Sequence, residues 1–246
     1  MEQIYMIPVN EAFDECAKGD MCECPICKMY EKLENKEVDI ALGPAMMEPT
    51  TRLETNEKGF CKHHFDMMLA KPNKLSLALI LESHLDTVRG KMKGNALKNI
   101  VIPKHKTQIK ATKTLSESCF ICEKIDYHIN RMIETTVFLH GYDAEFRQKT
   151  KKQNFFCLPH YQKMLEYAKN KLDKKKFDDF YSDVSQIQEK YLDKIIKDVS
   201  WFCKKFDYRY DSEPWYDSKD AVERAMKFIR SDLHKPPQKR KPLYNQ

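Results

Sequence analysis

Glycine is scarce in this chain, 6 residues in 246, and no apolar run approaches the roughly 20 residues that a membrane helix needs. The longest such run, Leu75 to Leu81, has Ser76 inside it. The N-terminus, Met1-Glu2-Gln3-Ile4-Tyr5, has no basic stretch leading into an apolar core, so no export signal is visible. Nucleophile elbow, phosphate loop and H-E-x-x-H are also missing, which leaves catalysis without a motif and the reading leaning away from an enzyme. The expectation is a cytoplasmic protein that does not span a membrane, in a thiol-reducing setting where paired cysteines hold metal more often than disulfides.

Charged residues make up 33% of the chain, and apolar positions recur every three or four residues along most of it. With so little glycine, that pattern predicts an all-α protein. What organises it is a repeated cysteine and histidine spacing. Cys24-Pro25-Ile26-Cys27 is followed by Cys61-Lys62-His63-His64, and Cys119-Phe120-Ile121-Cys122 by Cys157-Leu158-Pro159-His160. The half-motifs are separated by 33 residues in the first copy and 34 in the second. Met68-Leu69 stand seven and eight past Cys61, as Met164-Leu165 stand past Cys157, so the repeat runs on into the helices.

A C-x2-C pair at a helix start puts two sulfurs on one side, where the helix N-terminus favours thiolates; a C-x2-H pair offers one sulfur and one nitrogen. Three thiolates and an imidazole form a tetrahedral set suited to zinc. The expected sites are Cys24, Cys27, Cys61 and His64, then Cys119, Cys122, Cys157 and His160: two zinc ions, one per repeat. The second copy chooses His64 over His63, because Pro159 stands where His63 would be. Cys22 is a further candidate thiolate for the first site. Cys16 and Cys203 read as ordinary helix cysteines. Four filled ligands leave no open coordination position, so the sites read as structural. Iron–sulfur ligation or dithiol redox cycling by the same cysteines is the alternative.

Taken in order, residues 1–92 read as the first C-x2-C/C-x2-H helical unit. Ile4 to Val9 is expected as an extended strap, and Asn10 as the N-cap of a helix over Glu11 to Lys18. A helix runs from the first motif to Leu42 and ends at Gly43-Pro44. Met46 to Asn56 reads as a loop or broken helix whose methionines and lone Arg52 make it the candidate protein-contact surface, although buried methionines and a solvated arginine are the plainer account. Leu77, Leu81, Leu85, Val88 and Met92 predict a well-buried helix from about Leu75 to Met92. Residues 93–118 read as a basic linker with room for a short strand at Ile100 to Ile102. Residues 119–233 read as the second unit, with a short helix over Asp143 to Lys152, a long amphipathic helix through Phe177 to Phe206 and a last helix resting on Val222, Met226 and Ile229. Residues 234–246 form a basic tail.

The net charge is +6, but Lys93 to Lys113 carries six lysines and no acid, and the tail carries Lys235, Lys239, Arg240 and Lys241. Without those ten charges the rest sits at about −4. A nucleic-acid role through linker and tail is therefore a second alternative, behind a scaffold or adaptor with a protein partner.

Cys-Pro-Ile-Cys leading into a charged helix and Gly59-Phe60-Cys61-x-x-His64 leading into a Met-Leu helix resemble an uncharacterised, mainly Firmicute, bacterial family with paired C-x2-C and C-x2-H motifs. Ile7-Pro8-Val9-Asn10-Glu11-Ala12-Phe13 and Gly43-Pro44-Ala45-Met46-Met47-Glu48-Pro49 carry the same likeness. The resemblance implies a cytoplasmic bacterial protein and brings no activity. Phe120 departs from the pattern where the first copy has Pro25.

Overall fold

The computed structural model describes residues 3–18, 23–93 and 104–233. Cys22, the candidate strand at residues 100–102 and the basic tail lie outside that set. The described chain is all α-helix apart from short 3-10 turns and connections. In order the helices are α1 (Met6–Lys18), α2 (Pro25–Leu42), α3 (Pro49–Lys58), α4 (Lys62–Ala70), α5 (Lys74–Lys93), α6 (Lys104–Glu117), α7 (Phe120–Tyr142), α8 (Ala144–Lys151), α9 (Leu158–Lys171), α10 (Lys174–Lys204) and α11 (Ala221–Arg230).

Two compact units emerge, and neither coincides with one copy of the repeat. Among the described residues the first takes 3–18, 23–32 and 128–233, and the second takes 33–93 and 104–127. The divisions fall inside α2 and α7, so each unit draws on both copies. The sequence pattern placed the boundary in residues 93–118 because that stretch is lysine-rich and weakly periodic. Much of it is α6, which packs against α3 and α5. Lysine is a good helix former, so a run of them hides a helix from a reading based on apolar spacing.

In the first unit the core is aromatic. Phe13 of α1 meets Phe146 of α8 and Phe156, with ring centroids 4.8 and 6.1 Å apart. Phe155 stacks on Tyr191 of α10 at 4.3 Å, and Phe228 of α11 closes against both. Asp143 caps α8 by accepting from the backbone N–H groups of Glu145 and Phe146. The expected strap at the N-terminus is helical instead: α1 begins at Met6, and Pro8 sits in its first turn, where no intrahelical partner for its nitrogen is needed. In α11 the expected core stripe faces outward. Val222, Met226 and Ile229 are exposed, while Ala221 and Phe228 are buried.

In the second unit α3 lies along α5. Arg52 Nη2 donates to the Leu79 carbonyl at 2.7 Å, and Ser83 Oγ donates to Asn56 Oδ1 at 2.8 Å. Met46 to Asn56 is the broken helix of the two expected forms: a 3-10 turn ends at Met47, Pro49 opens α3, and Arg52 reaches α5, leaving Met47 and Leu53 exposed. Of the stripe expected on α5 only Leu77 is buried; Leu81 and Val88 are half-buried, and Leu85 and Met92 are exposed.

Candidate metal centre

All four half-motifs use one local device. Each first cysteine immediately precedes a helix, and its partner residue stands three further on, inside the first turn. The carbonyls of Cys24, Cys61, Cys119 and Cys157 accept the opening helical hydrogen bonds from Lys28, Phe65, Glu123 and Tyr161, at 2.9–3.1 Å. Side chains at the cap and three residues later meet on one side, as in a capping box. Cys61 and Cys157 have extended cap backbones, yet neither caps its helix with its sulfur.

The sulfurs point instead to partners, and the partners are not the expected ones. Cys24 and Cys27 meet Cys157 and His160; Cys61 and His64 meet Cys119 and Cys122. Each C-x2-C pair is completed by the C-x2-H pair of the other copy. The eight residues read from the sequence are all brought together, but the sets Cys24, Cys27, Cys61, His64 and Cys119, Cys122, Cys157, His160 do not form. The physical reason is that equal spacing in two copies leaves the choice of partner open, since both pairings satisfy it equally, as in a domain swap. Helix packing makes the choice.

In the first cluster Cys27 Sγ lies 3.6 Å from Cys157 Sγ, and His160 Nδ1 lies 3.1, 3.4 and 3.8 Å from the sulfurs of Cys157, Cys27 and Cys24. In the second, Cys61 and Cys122 sulfurs are 3.8 Å apart, and His64 Nδ1 lies 3.1, 3.3 and 3.4 Å from Cys61, Cys119 and Cys122. A tetrahedral ion with Zn–S bonds near 2.3 Å has edges of about 3.8 Å between sulfurs, and slightly shorter ones to nitrogen. The donor set and its spacing fit one such ion in each cluster.

Over residues 1–236 the sequence matches DUF6062, a family of unknown function. The chain belongs to that family. No curated protein and no solved structure matches it.

The DUF6062 chain holds each cluster from the backbone side. Ahead of Cys157, Gln188 of α10 accepts from the Phe156 N–H at 2.8 Å and donates to its carbonyl at 2.7 Å. Ahead of Cys61, the Phe120 N–H donates to the Gly59 carbonyl at 2.9 Å, and Ser118 Oγ donates to the Lys58 carbonyl at 2.7 Å. Gly59 itself has φ +62°, and a Cβ there would stand 2.8 Å from the His84 ring, so this turn requires glycine.

The clusters differ around their histidines. His64 offers Nδ1 to the sulfurs, while its Nε2, buried, lies 3.2 Å from Glu34 Oε1, off the axis of a well-formed hydrogen bond. His63 Nε2 reaches the same carboxylate oxygen at 3.1 Å. His63 is therefore beside the cluster without being a fourth ligand. Glu34 was not legible as a site residue, because no motif spacing marks it.

Electrostatics follow from crowding three sulfurs together. In the second cluster a hydrogen bond from Cys122 holds Cys119 down at about 3 against the penalty of burial, helped by His64. Cys122 is pushed up by the Cys119 sulfur and by burial. Burial opposes charge on His64, but Cys119 and Glu34 outweigh it and raise it to about 10. In the first cluster Cys24 is fully buried, yet hydrogen bonds from Cys157, Cys27 and His160 hold it well below the thiol range, whereas Cys27 and Cys157 are pushed up. Without a cation each cluster concentrates negative charge on one sulfur; a bound dication is what allows all three to ionise. Cys16, outside both clusters, is pushed up to about 12 by burial and packs as a core thiol.

Among the described residues no helix is long and apolar enough to cross a membrane.

Proposed function

We infer that this protein is a zinc-stapled helical scaffold or adaptor of the cytoplasm, with one zinc ion in each Cys3His cluster and no catalytic role for either. The observation that carries this reading is the pair of four-donor sets, each assembled from two helix starts at tetrahedral spacing. Four protein ligands leave no place for water or substrate, and thiolate-rich tetrahedral sites select zinc among common divalent ions. The short sulfur–sulfur spacings favour a single ion per cluster over a polynuclear iron–sulfur centre. The adaptor half of the reading rests on the exposed Leu53 of α3 and Met47 just ahead of that helix, which offer a protein partner an apolar contact.

Elemental analysis of the protein purified anaerobically tests it. Two zinc ions per chain and a colourless solution are expected. A folded, metal-free protein, or iron with visible absorbance, overturns it.

A further inference from the structure

The two clusters offer their sulfurs to solvent unequally. All four ligands of the first are buried, the most exposed being Cys27 at 7%. In the second, Cys61 and Cys122 are half-buried while Cys119 and His64 are buried. These two half-buried cysteines are also neighbours, their sulfurs 3.8 Å apart, and come from different helix starts. A disulfide bond of about 2.05 Å needs them to close by less than 2 Å. In the first cluster Cys27 and Cys157 are as close, at 3.6 Å, but both are buried.

We propose that Cys61 and Cys122 are a peroxide-sensitive modification site, whose oxidation to a disulfide releases the ion of the second cluster and leaves the first intact. This rests on the zinc reading above. One half-buried thiolate attacks a peroxide oxygen; the S–O bond forms, the O–O bond breaks, and the departing hydroxide takes a proton to become water. The other thiolate attacks the resulting sulfenic sulfur and displaces a second hydroxide, which is also protonated. Two thiolates, one hydrogen peroxide and two protons become one disulfide and two waters, with two electrons passing from sulfur to oxygen. Cys119 and His64 then remain as the only protein donors, too few to retain a structural ion. Cys16 and Cys119 do not compete because they are buried, and the exposed Cys203 is removed by substitution for the test.

The experiment uses the full, metal-loaded chain carrying Cys203→Ala. Hydrogen peroxide is added in stoichiometric steps, released ion is read with a chromogenic chelator, and disulfides are mapped by mass spectrometry of alkylated peptides. One of two ions should leave together with a Cys61–Cys122 disulfide, and the other should stay until the protein is denatured. Reductant with added zinc should restore two ions. Parallel loss of both ions, retention of both while thiols are consumed, or a disulfide joining Cys119 to Cys122 overturns the proposal. If the protein carries no metal at all, the zinc reading fails on that count alone. The peptide map then judges the disulfide separately.

Discussion

The two clusters share their ligands, their helix-start geometry and their tetrahedral spacing, and differ in what surrounds them. Counting from the first cysteine of each half-motif, Glu34 corresponds to the buried, apolar Ile129, and His63 to Pro159. The first cluster is built as core: four buried ligands approached by Phe155, Phe156 and Gln188. The second is built at a surface, with two half-buried sulfurs and a carboxylate shared by two histidines. Their places in the chain differ too. The first joins residues 130 apart, Cys27 and Cys157, and the second joins residues 55 apart, His64 and Cys119, nested inside that span. One Cys3His set of donors thus stands fully buried in one place and half-buried in the other.

The largest effect that could break this comparison is a whole ion. Replacing Cys24 and Cys157 together with serine should leave one metal ion per chain, because both belong to the first cluster. Cys24→Ser with Cys61→Ser should leave none, because it opens both. A tandem arrangement gives the opposite counts, so elemental analysis of the two variants after gel filtration decides between nested and tandem pairing. Each lost ion removes on the order of 10 kcal/mol of binding energy coupled to folding, comparable with the whole stability of a domain. Opening the first cluster alone should also lower the melting temperature more than opening the second alone with Cys61→Ser and Cys122→Ser, since the first spans the longer stretch of chain.

A smaller effect sharpens the contrast at the histidines. A carboxylate behind a ligating imidazole fixes its tautomer and strengthens it as a donor, and loss of such a partner lowers metal affinity about 10- to 100-fold. Glu34→Gln should therefore raise sensitivity to a competing chelator by that factor for one of the two ions and leave the other unchanged. Equal weakening of both ions, or of neither, would show that the Glu34 contact does not distinguish the clusters.

Much of this was legible from the sequence, for identifiable reasons. Helix content followed from apolar periodicity, and the eight cysteines and histidines that cluster followed from the repeat. Partner choice did not, because a duplicated spacing is the same whether copies pair within themselves or across. The fold settles it by bringing Cys24 and Cys27 to Cys157 and His160, and Cys61 and His64 to Cys119 and Cys122. The exposed stripe on α11 failed for a related reason: Val222, Met226 and Ile229 have helical spacing, but so do Ala221 and Phe228, and spacing alone does not say which face meets α10. Glu34 and Asp183 escaped notice because a lone carboxylate carries no pattern until its partners are in place.

Asp183 gives the smallest test, and it concerns charge buried beside the first cluster's helices rather than the cluster itself. Its carboxylate takes Arg147 Nε at 2.6 Å, His140 Nε2 at 3.1 Å and Lys151 Nζ at 3.2 Å. Burial works against its charge, but Arg147 and Lys151 hold it below the usual carboxylate range. His140 is lowered, chiefly by burial, so it stands neutral and donates from Nε2. Asp183→Asn should cost about 1–2 kcal/mol at neutral pH, less than a fully buried pair because Arg147 and Lys151 are partly solvated. The sign of the pH dependence follows from the directions. A depressed Asp183 contributes stability present above its unfolded value near 3.8 and lost as pH falls through the folded one, so the gap between wild type and variant should be flat from pH 8 to 5. A charged His140 would instead make the gap shrink as pH rises through its folded value. Chemical denaturation of the metal-loaded proteins at pH 5, 6.5 and 8 separates the two, and a gap that falls with rising pH would show His140 to be the positive partner.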